Sequence, residues 1–157
     1  MLDRRRMFMG GGALGLALAA APYARAAAFT LTDVQWKSRL SPGAYQVLRK
    51  AGTEIPFTSP LLKEHRAGIF ACAGCAQDLF SSKTKFESGT GWPSFWAPIS
   101  RTAVLTKEDR SIGMVRSEVL CSRCNGHLGH VFDDGPKPTG LRYCMNGLAL
   151  TFHTAQV

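Results

Sequence analysis

The sequence predicts a small, mainly β domain, α+β at its margin, with one short N-terminal helix followed by short antiparallel strands. Three observations lead there. Glycine and proline are plentiful, 16 and 8 in 157 residues, which breaks a chain into turns and short elements rather than long helices. The segment opening at Ser41-Pro42 carries helix-start chemistry, a serine cap before a proline at the first helical position. Beyond residue 68 the apolar residues come in short runs bounded by turn residues.

The elements follow in order. From Ala44 to Ala51 the helix offers Tyr45, Val47 and Leu48 for burial, and Gly52 closes it. Gly68 to Ala71 reads as a strand running into Cys72, and Leu79-Phe80 as a second strand after a cysteine turn. Ser88 to Ser94 is a loop, too rich in glycine for an element interior. Val104 to Thr106 and Met114 to Val119 are strands around a turn at Glu108 to Ser111. Leu141 to Met145 and Leu148 to Phe152 form the last two strands, and Asn146-Gly147 between them is a hairpin signal.

Residues 1–26 read as an address rather than as fold. Arg4-Arg5-Arg6 is a charged leader, Gly10 to Ala21 a short apolar run, and Ala24-Arg25-Ala26 a small-x-small cleavage site. The apolar run is well short of the roughly 20 residues that span a bilayer, so no stable membrane anchor is expected after cleavage. Arg5-Arg6-Met7-Phe8-Met9 resembles the core of a twin-arginine signal, a route that carries folded, metal-loaded proteins. Ordinary secretion is the alternative. The expected product is a single domain over residues 27–157, in the periplasm or beyond the membrane.

Charge excludes one class. The formal net charge is +8, but without the leader fifteen basic and ten acidic residues remain, for +5. These are scattered singly, with no basic stripe, so a nucleic-acid partner is not expected.

The five cysteines divide four and one. Cys72-Ala-Gly-Cys75 and Cys121-Ser-Arg-Cys124 are two C-x2-C knuckles. Together they supply four thiolates, the donor set of a closed, structural zinc site. Disulfides or a redox pair are the alternatives, but a thioredoxin-like motif needs a βαβ context that this chain lacks. Cys144 is left over. Strand alternation puts Arg142, Cys144 and Asn146 on one face and Leu141, Tyr143 and Met145 on the other. A cation two residues from a thiol favours the nucleophilic thiolate. Upstream, His127 and His130 follow directly on the second knuckle; with four sulfurs for the metal, both imidazoles are free for proton transfer.

Four stretches carry a family resemblance: Gly52 to Phe57 (GTEIPF), Lys85 to Phe95 (KFESGTGWPSF), His127 to Phe132 (HLGHVF) and Pro138 to Asn146 (PTGLRYCMN). Over about residues 33–153 the chain resembles the B-type peptide-methionine sulfoxide reductases. The resemblance implies two small antiparallel sheets in a β-tent, a zinc ion on Cys72, Cys75, Cys121 and Cys124, and reduction of the R epimer of methionine sulfoxide. It assigns the nucleophile to Cys144, flanking polar roles to Arg142 and Asn146, and proton handling to His127, His130 and Asp134. It assigns the apolar substrate wall to Trp92 and Phe132. Oxidised proteins are the implied substrates, and a thioredoxin-like protein the expected electron donor.

One departure bears on mechanism. Many relatives carry a resolving cysteine where this chain has Thr90. With four cysteines on the metal, a one-cysteine cycle through a Cys144 sulfenic acid is expected, recycled by an outside thiol. A non-catalytic zinc-knuckle module that binds proteins, and a thiol peroxidase using Cys144, are the competing classes. The first has no need of Cys144 or of His127 and His130, and the second no need of the Trp92 wall.

Overall fold

The computed structural model describes residues 29–154 except Ile112. The leader expected at residues 1–26 lies outside the described residues. Two short helices come first. In α1 (Asp33–Arg39), Thr32 accepts from the Gln35 backbone N–H while the Gln35 side chain accepts from that of Thr32. This reciprocal capping box satisfies two orphan helix-end donors. Its T-x-x-Q signature stood in the sequence, where only one helix was read. In α2 (Pro42–Lys50), Ser41 accepts from the Ala44 N–H. The helix closes on Ala51 in a left-handed conformation, one residue before the glycine expected to close it.

Nine strands follow: β1 (Gly68–Cys72), β2 (Asp78–Ser81), β3 (Lys85–Phe86), β4 (Ser94–Phe95), β5 (Val104–Asp109), β6 (Arg116–Cys121), β7 (His127–Phe132), β8 (Arg142–Met145) and β9 (Leu150–Thr154). They form two antiparallel sheets, one ordered β2-β1-β9 and the other β3-β4-β8-β7-β6-β5. The expected fold class, mainly β with two small antiparallel sheets, is what the chain adopts. The sheets meet through aromatic rings. Phe70 of β1 and Phe80 of β2 pack on Phe95 of β4 at centroid distances of 4.9 and 4.4 Å, and Phe80 also meets Tyr143 of β8 at 5.8 Å. Phe70, Phe80 and Phe95 are wholly buried, and offset or edge contacts of this kind add to the area they remove from water.

Two strand expectations need correction. β7 coincides with the HLGHVF stretch, which was read for its histidines and not as a strand. Asn146-Gly147 makes no hairpin either: β8 pairs with β4 and β7, while β9 pairs with β1 in the other sheet. A type I′ hairpin needs positive φ at both central residues, whereas Asn146 sits at φ −66° and opens a 3-10 turn at Gly147–Ala149. The Glu54 carboxylate accepts from the N–H groups of Gly147 (2.5 Å) and Leu148 (2.9 Å), and so steers the chain across to the smaller sheet.

Candidate active site and metal centre

The cross-strand register alone assembles the site. Cys144 on β8 lies opposite Ser94 of β4 on one side and His130 of β7 on the other, and His130 lies opposite Glu118 of β6. Directly opposed residues share a face, so these four side chains form a row. A parallel row holds Arg142 opposite Phe132, with Arg116 opposite Asp109 one strand further on. Gly129 lets β7 and β8 approach: a Cβ there would stand 2.1 Å from the Cys144 carbonyl oxygen.

A cavity of about 120 Å³ opens on this face, lined by Cys144, His130, Asn146, Trp92 and Phe132, and completed by Thr53, Arg116 and Gly129. A wider groove of about 640 Å³ adjoins it at Arg116 and Phe132. No thiol or imidazole lines that groove, so the chemistry belongs to the smaller cavity.

Each group in the site is held by a second one. His130 Nε2 lies 2.8 Å from Asp109 Oδ2, which also accepts from Arg116 at 2.5 Å. Hydrogen bonds from Ser111, and then the one from His130, hold the Asp109 carboxyl well below the usual carboxylate range. His127 is 4 % exposed at its side chain and does not line the cavity. Its Nδ1 stands 2.7 Å from Glu118 Oε1, and its Nε2 is buried with no hydrogen-bond partner among the described residues. Burial pushes the His127 pKa down, against the opposing pull of Glu118. A β-bulge between Val119 and Leu120 of β6 sets His127 beside the row, so that the two imidazole centroids are 5.5 Å apart.

Asp134 does not meet either histidine. Its two oxygens accept from Arg142 Nε and Nη2 at 2.8 Å each, and this pairing holds Asp134 below its ordinary range and Arg142 above its own. The Arg142 guanidinium also lies 4.4 Å from the Phe132 ring centroid, a cation–π geometry. The orienting role expected of Asp134 toward the imidazoles therefore falls to Glu118 and Asp109. Sequence reading missed both. Glu118 lies on an expected strand whose neighbour the sequence does not name, and Asp109 lies in the expected turn at Glu108 to Ser111, where the structure has the end of β5.

Asn146 is 3 % exposed. Its Oδ1 accepts from the Glu54 N–H at 2.9 Å and its Nδ2 donates to the Leu128 carbonyl at 3.0 Å. Trp92 Nε1 donates to the Glu54 carbonyl at 3.1 Å. Glu54 is thus the hub behind two cavity walls, again unread from sequence although it lies in the GTEIPF stretch. Behind Cys144, Thr90 Oγ1 stands 3.7 Å from the sulfur and continues through Ser88 to Ser94 at 2.8 and 2.7 Å.

The other four cysteines are brought together elsewhere. Their Sγ atoms lie within 4.8 Å of one another, all are buried, and none forms a disulfide. The closest pairs are Cys75 with Cys121 at 3.5 Å and Cys72 with Cys124 at 3.7 Å. Metal–sulfur bonds of about 2.3 Å in a tetrahedron separate sulfurs by about 3.8 Å, so this set fits a four-thiolate metal centre. Crowding against Cys121 pushes the Cys72 and Cys124 thiols up, and a bound dication would relieve it. The knuckles join the two sheets, one at the end of β1 and the other at the end of β6. Arg39 donates to Gly74 O at 2.7 Å, Arg49 to Cys124 O at 3.0 Å and Arg123 to Cys75 O at 3.1 Å.

Comparison with known proteins agrees with this geometry. Residues 40–154 match the SelR domain. The peptide methionine sulfoxide reductase MsrB of Thiobacillus denitrificans is 56% identical over 122 residues, covering 78% of this chain and 92% of its own length. The same-named protein of Leptospira interrogans is 54% identical over 121 residues (77% and 92%). That of Methanosarcina mazei is 57% identical over 121 residues (77% and 86%). Among solved structures, the Mis18 'Yippee-like' domain aligns at 21% identity and a TM-score of 0.47, covering 59% of this chain and all of that one. A thiol in a small aromatic-walled cavity, a four-cysteine centre and a match over nearly the whole described chain have one common source: the chain belongs to the SelR domain family, that of the MsrB peptide methionine sulfoxide reductases.

Proposed function

We propose that this methionine sulfoxide reductase reduces the R sulfoxide of methionine residues in proteins through Cys144 alone, with an outside thiol closing the cycle. The observation that carries the reading is the placement of the Cys144 thiol in a cavity between two aromatic walls, Trp92 and Phe132, with His130 directly across the strand pair.

The Cys144 thiolate attacks the sulfoxide sulfur while the S–O bond breaks. Oxygen is a poor leaving group until protonated, and His130, which lines the cavity, is the nearer imidazole for that proton; His127 lies behind it. The oxygen, released as water, then attacks Cys144 Sγ and breaks the new bond between the two sulfurs; methionine leaves with that electron pair, and Cys144, oxidised by two electrons, remains as the sulfenic acid. A donor thiol then displaces that oxygen as water to give a mixed disulfide, and a second donor thiol releases Cys144 with a disulfide on the donor. Arg142, held by Asp134, places a positive charge on the Cys144 face of β8. The apolar walls seat the S-methyl group and the polar side receives the oxygen, an asymmetry suited to selecting one epimer.

The one-cysteine cycle is supported by the sulfur inventory: Cys72, Cys75, Cys121 and Cys124 are gathered in their own cluster and Thr90 faces Cys144. We assign that cluster to one zinc ion, which when bound would supply structural cross-linking of the two knuckles. The donor is proposed to be a thioredoxin-like dithiol protein. Export by the twin-arginine route to the periplasm is proposed on the leader's sequence alone. No helix among the described residues is long and apolar enough to cross a membrane.

The test is reduction, with dithiothreitol, of a peptide carrying resolved methionine R- or S-sulfoxide, comparing the chain with Cys144→Ser. Turnover of R alone, abolished by the substitution, is expected. Equal turnover of both epimers, or turnover surviving Cys144→Ser, would overturn the reading.

A further inference from the structure

The cavity above Cys144 measures about 120 Å³, room for the end of one side chain. The backbone and neighbours of a methionine sulfoxide within a protein must therefore lie outside it, across its rim. One part of that rim is unusual. Ile55, Pro56 and Phe57 are three consecutive apolar residues on the surface, with Ile55 72 % and Phe57 69 % exposed. An exposed apolar run has a cost in solubility and calls for a function.

The run is held open rather than left loose. Phe57 has φ +65°, a left-handed conformation that bulky residues avoid and that persists only where the surroundings enforce it. Here its N–H donates to the Gly91 carbonyl at 2.7 Å. Its ring lies over Gly91 itself: a Cβ at that position, where φ is +92°, would stand 2.9 Å from the ring and 2.7 Å from Pro56 Cβ. Gly91 separates Thr90, beside the Cys144 sulfur, from Trp92, a cavity wall. On the other side Ile55 follows Glu54, which accepts the Trp92 indole N–H, and Thr53, which lines the cavity. The exposed run is continuous with the rim at both ends.

We propose that Ile55, Pro56 and Phe57 form a ledge that docks apolar residues flanking the oxidised methionine in a protein substrate. This rests on the reductase reading and deepens it. The substrate class is a peptide segment with bulky apolar residues on either side of the sulfoxide. Such a segment presents extended backbone to the rim and apolar side chains to the ledge, where their burial adds affinity that a free amino acid cannot gain.

The experiment compares three R-sulfoxide substrates on the full chain: N-acetyl methionine sulfoxide methylamide, a peptide with glycine on both sides, and one with leucine and phenylalanine there. The variant is Ile55→Ser with Phe57→Asn, asparagine being tolerant of the left-handed backbone. The unaltered chain is expected to favour the apolar-flanked peptide over the glycine-flanked one by about tenfold in kcat/KM. The variant should lose that preference and keep its rate on the methylamide. Ile55→Ser alone, at a position without strain, decides the matter if the double variant folds poorly; it should halve the preference or more and leave the methylamide rate unchanged. Absence of preference in the unaltered chain, or an equal fall on all three substrates in the single variant, would overturn the ledge while leaving the reductase intact. No turnover of any substrate would remove the reductase reading and the ledge with it.

Discussion

Replacing Glu54 with glutamine keeps the shape of the side chain and removes one acceptor. The native carboxylate is in a residue only 7 % exposed and accepts from two backbone N–H groups, those of Gly147 and Leu148. A glutamine has one oxygen for the pair. Its amide nitrogen would turn a donor toward a donor, so one buried N–H loses its partner. A hydrogen bond to a charged group contributes about 1.5–3 kcal/mol, and an unsatisfied buried donor costs about 1–3 kcal/mol, the two overlapping. The expected loss is about 3 kcal/mol, or about 10–15 °C in Tm for a domain of this size. Function should suffer too. The backbone of Glu54 holds the Asn146 amide and the Trp92 indole, so a displaced Glu54 loosens two walls of the cavity. Small misplacements of positioning groups have large rate effects, and kcat/KM for a sulfoxide peptide, measured well below the lowered Tm, should fall by about 3- to 30-fold. The assay is a thermal melt followed by steady-state turnover on the same samples. A Tm within about 2 °C of the original, with unchanged turnover, would refute the hub role of Glu54.

Three further outcomes are expected. Removing the metal with a chelator, or the site with Cys121→Ser, should unfold the chain as read by circular dichroism. Structural zinc contributes about 10–16 kcal/mol in small domains, and whole-domain stability is only about 5–15 kcal/mol. Gly129→Ala should cost more than about 3 kcal/mol in urea unfolding, because the new methyl would meet the Cys144 carbonyl oxygen 2.1 Å away, in backbone that cannot yield. Stability should also decline in acid through His127. Its folded pKa is depressed by burial, so below about pH 6.5 the unfolded chain takes up a proton that the native one refuses. The contribution is complete above that pH and is lost as pH falls toward the folded value. The urea midpoint of the native chain should therefore drop between pH 7 and pH 5 more steeply than that of His127→Asn.

Much of the molecule can be read from the chain alone, for local reasons. Ser41-Pro42 marks α2 because cap and proline act within one turn. The two C-x2-C spacings announce a four-sulfur centre because each knuckle is built by its own short turn, and the four sulfurs do converge. Strand alternation puts Arg142, Cys144 and Asn146 on one side, since the period of a strand is a property of its backbone. The HLGHVF and RYCMN stretches carried the family.

What the chain alone does not contain is which strands lie side by side. Asn146-Gly147 looks like a hairpin because turn propensity is local. Yet Glu54, 93 residues before Gly147, takes the turn's N–H groups and sends β9 to the other sheet. The family resemblance groups Asp134 with the histidines in proton handling. In space it belongs to Arg142, while Glu118 and Asp109 reach the imidazoles from neighbouring strands. The difference between His127 and His130 is likewise tertiary. Two imidazoles three residues apart are chemically alike until a bulge buries one behind the other and a cross-strand register sets the second opposite Cys144. The reactive groups, the sulfur donors and the local elements are legible in the chain, because they depend on residue type and short spacing. Which groups face one another is set by register and sheet order, and these arise from packing between residues far apart in the chain.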